Sequence, residues 1–175
     1  MPVEIEPDET PDGWYYGNQQ SIEDFLGIEN LRIASNLEGD ETATDTDRIL
    51  RDGLESDAYI NSRLRGGVYK VPITVDGIIL QNLDPTHDTR LYFQSISDRE
   101  VARRLHAHRL IQSAAMADED VAKLMIAWRD HVAAELADVK SGKITIVADL
   151  NTTGLRKARP ITIVALSTCC KRHGC

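Results

Sequence analysis

The stretch from Val121 to Lys143, VAKLMIAWRDHVAAELADVKSGK, decides the fold of this chain. Its large apolar residues recur every three or four positions, which is the spacing of one face of an α-helix. They are Val121, Leu124, Met125, Trp128, Val132, Leu136 and Val139. Asp118 is placed to cap this helix and Gly142 to end it. A helix of this length must bury its apolar face against other parts of the chain or against another chain.

Length and composition set the class of protein. The chain has 175 residues, enough for one domain with additional segments at its ends, and 42% of them are hydrophobic. No run approaches the roughly 20 apolar residues that a membrane span needs. The N-terminus, MPVEIEPDETPDG, is acidic and rich in proline, unlike a signal peptide. We therefore expect a protein made in the cytoplasm, with no membrane contact.

Charge is divided unevenly along the chain. Residues 1–60 have a balance of −13 and residues 61–175 a balance of +5, which gives the net charge of −8. One interpretation is a disordered acidic arm over residues 1–13 and solvated helix faces elsewhere. The other is a molecule with two poles that stacks head to tail. The basic residues are not interleaved with aromatics, so we do not expect dedicated nucleic-acid recognition.

Apolar periodicity predicts a mainly α fold, a helical body with additional segments. Short helices are predicted after Ser21 and over Glu29 to Leu37, and long ones over Asp47 to Arg65 and Asp98 to Met116. Gly53 lies inside a long helix and indicates a close helix crossing. The residues expected to form the core or fix the fold are Leu54, Ile60, Leu64, Leu105, Trp128, Leu136 and Gly142. The aromatic run from Trp14 to Tyr16 is expected to anchor the arm, either on this core, which is the favoured interpretation, or on a neighbouring subunit.

Residues 68–95 break the helical pattern. Residues Ile78 to Leu80 and Leu91 to Phe93 are predicted to form the two sides of a β-hairpin whose tip is Asp84 to Asp88. In an otherwise helical protein, this is expected to be an insertion that projects from the body. Its candidate contact residues are Ile78, Leu80, His87, Leu91 and Phe93.

The pattern changes again after Gly142, and residues 143–175 are predicted to form a β-rich extension. Segments Ile144 to Val147 and Ile161 to Leu166 are typical of strands, with the basic residues Arg156, Lys157 and Arg159 between them. A two-stranded hairpin alone is marginal in water, so the extension needs cover from the body, another subunit or a partner.

No motif for catalysis or cofactor binding is present. The sequence contains neither GxxxxGK[ST] nor GxGxxG, and its histidines form no defensible triad. Cys169, Cys170, His173 and Cys175 lie close together but include no CxxC pair, so free thiols are expected rather than a zinc site. We expect no enzymatic activity, no cofactor and no metal.

Several segments together resemble the head–tail connector adaptors of long-tailed bacteriophages, also called head completion proteins, and the Mu-like group in particular. The segments are YYGNQQSIEDFLG, LESDAYINSRL, VYKVP, REVARRLHAHRLI and LADVKSGKITI. The matching positions are Ile60, Asn61, Leu64, Tyr69, Pro72, Leu136, Gly142 and Lys143. The resemblance extends from Trp14 to Ile146.

The resemblance implies a helical adaptor domain over residues 14–142, built as a small bundle of about four helices. It also implies a ring of about twelve copies below the portal of the virion. Such a ring joins the portal protein to the stopper or tail-completion protein and prolongs the channel, where genomic DNA passes without sequence-specific binding. The loop over residues 68–95 would project, and the extension would dock on the portal through Ile144, Ile146, Arg156, Lys157, Arg159, Ile161 and Ile163. The residues leave open an alternative, a cellular helical interaction module whose arms fold on a partner.

Overall fold

A computed structural model of the chain describes residues 13–36, 43–112 and 119–151. These ranges hold five helices: α1 (Gln19–Leu26), α2 (Ile28–Ser35), α3 (Thr46–Leu64), α4 (Asp88–Gln112) and α5 (Glu119–Ser141). Two antiparallel pairs of short strands join them, β1 (Gly13–Trp14) with β2 (Gly17–Asn18), and β3 (Thr74–Val75) with β4 (Ile78–Ile79). A 3₁₀ turn covers Leu80–Asn82. The prediction of a mainly α fold is confirmed.

The three long helices form the centre of the fold. Helix α4 runs antiparallel to α5, because its Arg99 pairs with Glu135 at 2.8 Å while His106, further along α4, lies against Trp128, which is earlier in α5. Contacts between α3 and α4 also run in opposite directions along the two helices. Helices α1 and α2 pack across α4 near its C-terminal half. The last two helices, α4 and α5, therefore form an antiparallel pair.

The core consists of two clusters. The larger core cluster joins the C-terminal halves of α3 and α5 to the start of α4, and it contains Tyr16, Ile60, Leu64, Tyr69, Ile73, Val75, Leu80, Phe93, Ile96, Val132, Leu136 and Val139. The smaller core cluster lies under α1 and α2, and it contains Trp14, Ile22, Leu31, Ala34, Ile49, Val101, Ala102 and Leu105. Seven of the twelve residues of the larger core cluster lie in the long helices, and the other five lie in the N-terminal hairpin and the 68–83 segment.

Trp14 anchors the N-terminal hairpin, which is formed by β1 and β2, to α3 and α4. Its side chain is 2% exposed, and its indole Nε1 donates to Ser97 Oγ of α4 at 2.8 Å. The ring lies flat on Gly53 of α3, where an added Cβ would stand 2.2 Å from the ring atom Cδ2. The predicted anchoring of the aromatic run is confirmed. The close approach at Gly53 is made by this ring and not by a crossing helix, so that prediction is wrong.

The predicted hairpin between Ile78 to Leu80 and Leu91 to Phe93 is wrong. Strand β4 pairs with β3 across a tight turn at Asp76 and Gly77, and Leu91 to Phe93 belong to α4. Helix α4 begins at Asp88, ten residues before the predicted start, and Ser97 is buried inside it. The strand-like composition misled the prediction because burial on a helical face favours helix here, with Phe93 and Ile96 one turn apart in the larger core cluster.

Most of the predicted core residues are confirmed. Ile60, Leu64, Leu105 and Leu136 are buried, Trp128 is half-buried against the smaller core cluster, and Gly142 ends α5 with a φ of +76°. Leu54 is the exception at 55% exposed, so its assignment to the core is wrong. The physical reason is that the N-terminal hairpin occupies the adjacent face of α3 and brings polar groups with it, which turns Leu54 towards solvent.

We predict that Gly53→Ala lowers the free energy of unfolding by about 2 kcal/mol, because the new methyl group displaces the Trp14 ring from a filled site. Urea denaturation measures this. In a Trp14→Leu background the ring is gone, and the same substitution is expected to be neutral or to stabilise the helix by up to about 1 kcal/mol. An equal loss in both backgrounds would contradict this account of the packing.

Candidate interaction surfaces

The inner face of α3 holds the N-terminal hairpin through polar groups. Asp57 accepts hydrogen bonds from the backbone N–H groups of Tyr15 at 2.5 Å and Tyr16 at 3.1 Å. The Tyr16 hydroxyl donates to Asn61 Oδ1 at 2.7 Å and accepts from the Ile73 N–H at 3.2 Å. The hairpin is therefore connected to both α3 and the segment that follows it.

Two of the carboxyl groups around the hairpin are buried strongly enough to change their titration. Burial raises the pKa of Asp57 to about 6, although the N–H groups of Tyr15 and Tyr16 act in the opposite direction. Burial also raises the pKa of Asp98 to about 7, against the hydrogen bond that Ser21 Oγ donates to it at 2.7 Å. Both groups are held close to α1 and the hairpin, so the N-terminal part of the fold is sensitive to pH.

The outer face of α3 is apolar where solvent is expected. Leu50 is 43% exposed and Leu54 is 55% exposed, and Ala58 continues the line one turn further on. We call these three residues the α3 ridge. The buried face of the same helix instead contains Asp52, Ser56 and Asp57 among its apolar residues. The sequence carried a signal for this inversion, since these three polar residues share one face of α3 with Gly53.

A positively charged cleft lies at the C-terminal end of α3. It has a volume of about 310 Å³ and is lined by Asn61, Arg65, Gly66, Tyr69, Lys70, Val71, Pro72 and Asn151. We call it the basic cleft. Its two cations, Arg65 and Lys70, are exposed, and neither makes an ion pair with any residue that the structure describes. The cleft has no local signal in the sequence because its walls are separated along the chain.

A larger, open cavity of about 500 Å³ lies beside the start of the hairpin. Its lining residues are mostly amides: Gly13, Asn18, Gln19, Gln20, Glu23, Gln81 and Arg90. The Arg90 guanidinium donates to the backbone carbonyls of Gln81 at 3.1 Å and Leu83 at 2.6 Å, so it also serves to hold the 3₁₀ turn. With one cation and one carboxylate, the cavity has no net charge.

A buried ionic group joins α3 to α4. Asp52 is almost fully buried, with Arg48 at 4.0 Å and His108 of α4 at 3.5 Å. Burial raises the pKa of the Asp52 carboxyl, and the nearby His108 and Arg48 act against that rise. Glu100 is buried as well and accepts hydrogen bonds from Arg103 and Arg104. The Glu100 pairs lie within α4, whereas the pairs His108–Asp52 and Arg104–Glu55 connect α4 to α3.

The predicted strand from Ile144 to Val147 is wrong. Within residues 143–151 the chain is extended and crosses the 68–77 segment, with one isolated bridge between Tyr69 and Leu150. We call residues 144–151 the strap. Ile144 and Ile146 are half-buried against the larger core cluster, which leaves them unavailable as a free tail. The body of the protein therefore extends to Asn151 and not to Gly142.

Hydrogen bonds hold the strap along its length. Tyr69 Oη accepts from the Ile146 N–H at 3.0 Å, and the Asp149 N–H donates to the Thr74 carbonyl at 2.7 Å. The Asp149 carboxylate accepts from Thr74 Oγ1 at 2.5 Å and from the Gly77 N–H at 2.9 Å, which fixes the turn between β3 and β4. These bonds lower the pKa of Asp149. The strap is thus the element that closes the fold over its central insertion.

The remaining predicted site residues divide into three groups. Leu80 and Phe93 are buried in the larger core cluster, so they do not project from the body and that prediction is wrong. Ile78 and Leu91 are exposed and His87 is half-buried, and their role in partner contact stays a prediction. The others lie outside the described residues: Arg156, Lys157, Arg159, Ile161 and Ile163. Residues 1–12 of the arm predicted over residues 1–13 also lie outside them, and Gly13 belongs to β1.

Comparison with known proteins adds no relative. No family model matches the chain, and no curated protein and no solved structure is significantly similar to it. Within residues 13–36, 43–112 and 119–151, no helix is long and apolar enough to cross a membrane. In the same ranges, no three His, Cys, Asp or Glu side chains are grouped so that they could hold a metal ion. The four C-terminal Cys and His residues fall outside those ranges.

We predict that Asp98→Asn makes stability less dependent on pH. Asp98 has a pKa of about 7 in the fold against an ordinary value of 3.8, so the folded state binds its proton more tightly than the unfolded state does. Its contribution to stability is complete below about pH 4 and is lost as pH rises through about 7. Asn keeps an acceptor for Ser21, so the difference in stability should shift by about 2 kcal/mol in favour of the variant as the pH rises from 5 to 8.

Urea denaturation of both proteins from pH 5 to pH 8 measures this difference. Asp57→Asn is the matched comparison, because an amide offers one acceptor oxygen where two backbone N–H groups need two. That variant should be less stable than the wild type at both pH values. A constant difference between Asp98→Asn and wild type across the range would contradict the assignment.

We predict that the chain tolerates truncation after Asn151 but not after Lys143. The shorter chain loses the strap, whose hydrogen bonds contribute about 1 kcal/mol each, and exposes part of the larger core cluster. Its free energy of unfolding should fall by about 3 kcal/mol or more. The chain ending at Asn151 should stay within about 0.5 kcal/mol of the full chain. Equal stability of the two truncated chains in thermal and urea unfolding would show that the strap is not part of the body.

Proposed function

We propose that this protein is a structural component of a bacteriophage virion, an adaptor at the head–tail interface that joins the portal to the stopper or tail. Its support from sequence is the set of positions shared with head–tail connector adaptors. Several of these positions fix the fold described above: Ile60, Leu64, Tyr69 and Leu136 belong to the larger core cluster, and Gly142 ends α5. A small helical body of this kind suits work that is geometric rather than catalytic.

The α3 ridge is the observation that carries the proposal. Leu50 and Leu54 lie one turn apart on α3, and both side chains are exposed, while polar groups occupy the buried face of the helix. This exposure adds no stability to a protein that acts alone. Exposed apolar surface of this kind marks an interaction site. In a closed ring each copy contacts its neighbours through two different patches, so the ridge of one copy would be covered by another surface of the next.

The charge of the chain agrees with a passage for DNA. The net charge is −8, and most of the excess acid lies in residues 1–60. Binding to DNA depends on lysine and arginine contacts with phosphates, which an acidic lumen does not offer. DNA would then slide through the ring without being held.

Docking on the portal is assigned to residues after Asn151, since the strap belongs to the body. This extension contains Arg156, Lys157 and Arg159 and the apolar segment that begins at Ile161. Strand addition to an exposed sheet edge is a common way for such a segment to bind. The residues would therefore act as a separate docking element on a complete body.

One observation favours the alternative, a cellular interaction module. The segment over residues 68–95 packs on its own body, and so does the strap, so these two segments need no neighbour to cover them. The two functions differ in the partner. An adaptor binds the portal protein encoded in its own genome, whereas an interaction module binds a protein of the host cell and no virion component.

We predict that the full chain forms a stoichiometric complex with that portal protein, seen by light scattering after size exclusion and as a ring of copies by electron microscopy. Leu54→Glu should weaken ring formation at least tenfold, because the interface would bury an unpaired carboxylate. Leu124→Glu on α5, where the leucine is 45% exposed, is the matched control and should retain the ring. Both variants should keep the stability of the wild type within about 0.5 kcal/mol.

Wild-type protein that ignores the portal and captures a host protein would overturn the adaptor assignment in favour of the alternative. If Leu54→Glu forms rings as well as the wild type does, the adaptor function stands, but the α3 ridge is not the contact between copies. The two results are therefore separable.

A further inference from the structure

The basic cleft presents groups that recognise carboxylates. Arg65 and Lys70 supply two positive charges, and neither is paired with a carboxylate of the described residues. Asn61 has its Oδ1 occupied by the Tyr16 hydroxyl at 2.7 Å, which leaves its Nδ2 group as a donor toward a ligand. Lys70 is close enough to Asp149 to lower the pKa of that carboxyl slightly, but the Asp149 oxygens are engaged by Thr74 and Gly77. The cleft is therefore a positive concave surface with donors and without its own anion.

The chain contains a segment of complementary charge. Residues 1–12, MPVEIEPDETPD, hold five acidic side chains and no lysine or arginine. The acidic residues are Glu4, Glu6, Asp8, Glu9 and Asp12. Pro2, Pro7 and Pro11 are residues that disfavour a helix over this segment.

The segment begins within reach of the cleft. It joins the body at Gly13, and Tyr16, three residues further on, contacts the cleft residue Asn61 through its hydroxyl at 2.7 Å. Twelve extended residues span up to ~40 Å, and a flexible chain of that length has a mean end-to-end distance of about 20 Å. Attachment to the same molecule gives the segment an effective concentration of about 1 mM at the cleft. Binding within one copy is therefore favoured over binding between copies.

The open cavity beside Gly13 is closer to the segment but is the weaker candidate. Its single guanidinium, Arg90, already donates to two backbone carbonyls, and Glu23 in the same lining repels an acidic chain. The remaining lining groups are mostly neutral amides. Charge complementarity thus selects the basic cleft.

We propose that the basic cleft is a binding site for acidic peptide segments, and that residues 1–12 of the same copy occupy it. The segment then covers Arg65 and Lys70 until a partner with a higher density of carboxylates displaces it. This inference rests on the cleft and the charge of the chain, and it holds whether or not the protein is a connector adaptor.

Paramagnetic relaxation in the full chain tests the proposal. The three cysteines, Cys169, Cys170 and Cys175, are replaced by serine, and a nitroxide is attached through Ile5→Cys. At low salt the amide signals of Tyr69, Lys70 and Val71 should lose at least half of their intensity. The loss should disappear in 0.5 M NaCl, and in a double variant with Arg65→Glu and Lys70→Glu. A double variant with Arg51→Glu and Arg63→Glu, which carries the same charge change on other faces of α3, should retain it.

Two further measurements separate the possible occupants. A mixture of unlabelled chain bearing the nitroxide and ¹⁵N-labelled chain without it should show no loss at the cleft, because the contact lies within one copy. Lysine at positions 4, 6 and 8, through Glu4→Lys, Glu6→Lys and Asp8→Lys, should restore the contact in the cleft-reversed variant. Intensity lost at Gln19 and Gln20 in place of the cleft, loss that persists after charge reversal of the cleft, or loss in the mixed sample would each overturn the proposal.

Discussion

The seating of Trp14 on Gly53 is the contact on which the rest of this structure depends. The indole fills the one place on α3 where no side chain stands, and its N–H reaches Ser97 on α4, so a single ring joins the N-terminal hairpin to two long helices. Once the ring is there, the hairpin brings backbone N–H groups that need acceptors, and Asp57 supplies them. Buried N–H groups are costly without partners, which explains why an acid lies inside this fold.

The same contact explains which parts of the fold were predictable from sequence. Apolar periodicity located the helices and the buried positions Ile60, Leu64, Leu105 and Leu136, because those residues face other helices in the ordinary way. Periodicity failed for Leu54 because it assigns the apolar side of a helix to the core. It cannot show that a hairpin from elsewhere in the chain covers the polar side of α3. The start of α4 was missed for a related reason, because the composition around Phe93 favours a strand and only its tertiary burial makes a helix.

The surfaces were less predictable than the fold because each is made by distant parts of the chain. The basic cleft joins Asn61 and Arg65 to Lys70 and then to Asn151, and only the strap brings the last of these into place. The α3 ridge lies within a single helix, yet its exposure depends on the hairpin that covers the opposite face of that helix. Local pattern thus identifies an element, whereas the side of the element that meets solvent is decided by segments far away in the chain.

The strap also determines how the molecule bears tension. A pull on residues beyond Asn151 does not reach the end of α5 directly, because the N–H of Asn151 is bonded to the Val68 carbonyl and the carbonyl of Asp149 to the Lys70 N–H. The load passes into the segment after α3, and from there to α5 through the bond between the Val68 N–H and the Lys140 carbonyl at 3.2 Å. Two long helices therefore share a force that would otherwise unwind the last one, and the C-terminal extension is attached at a mechanically reinforced point.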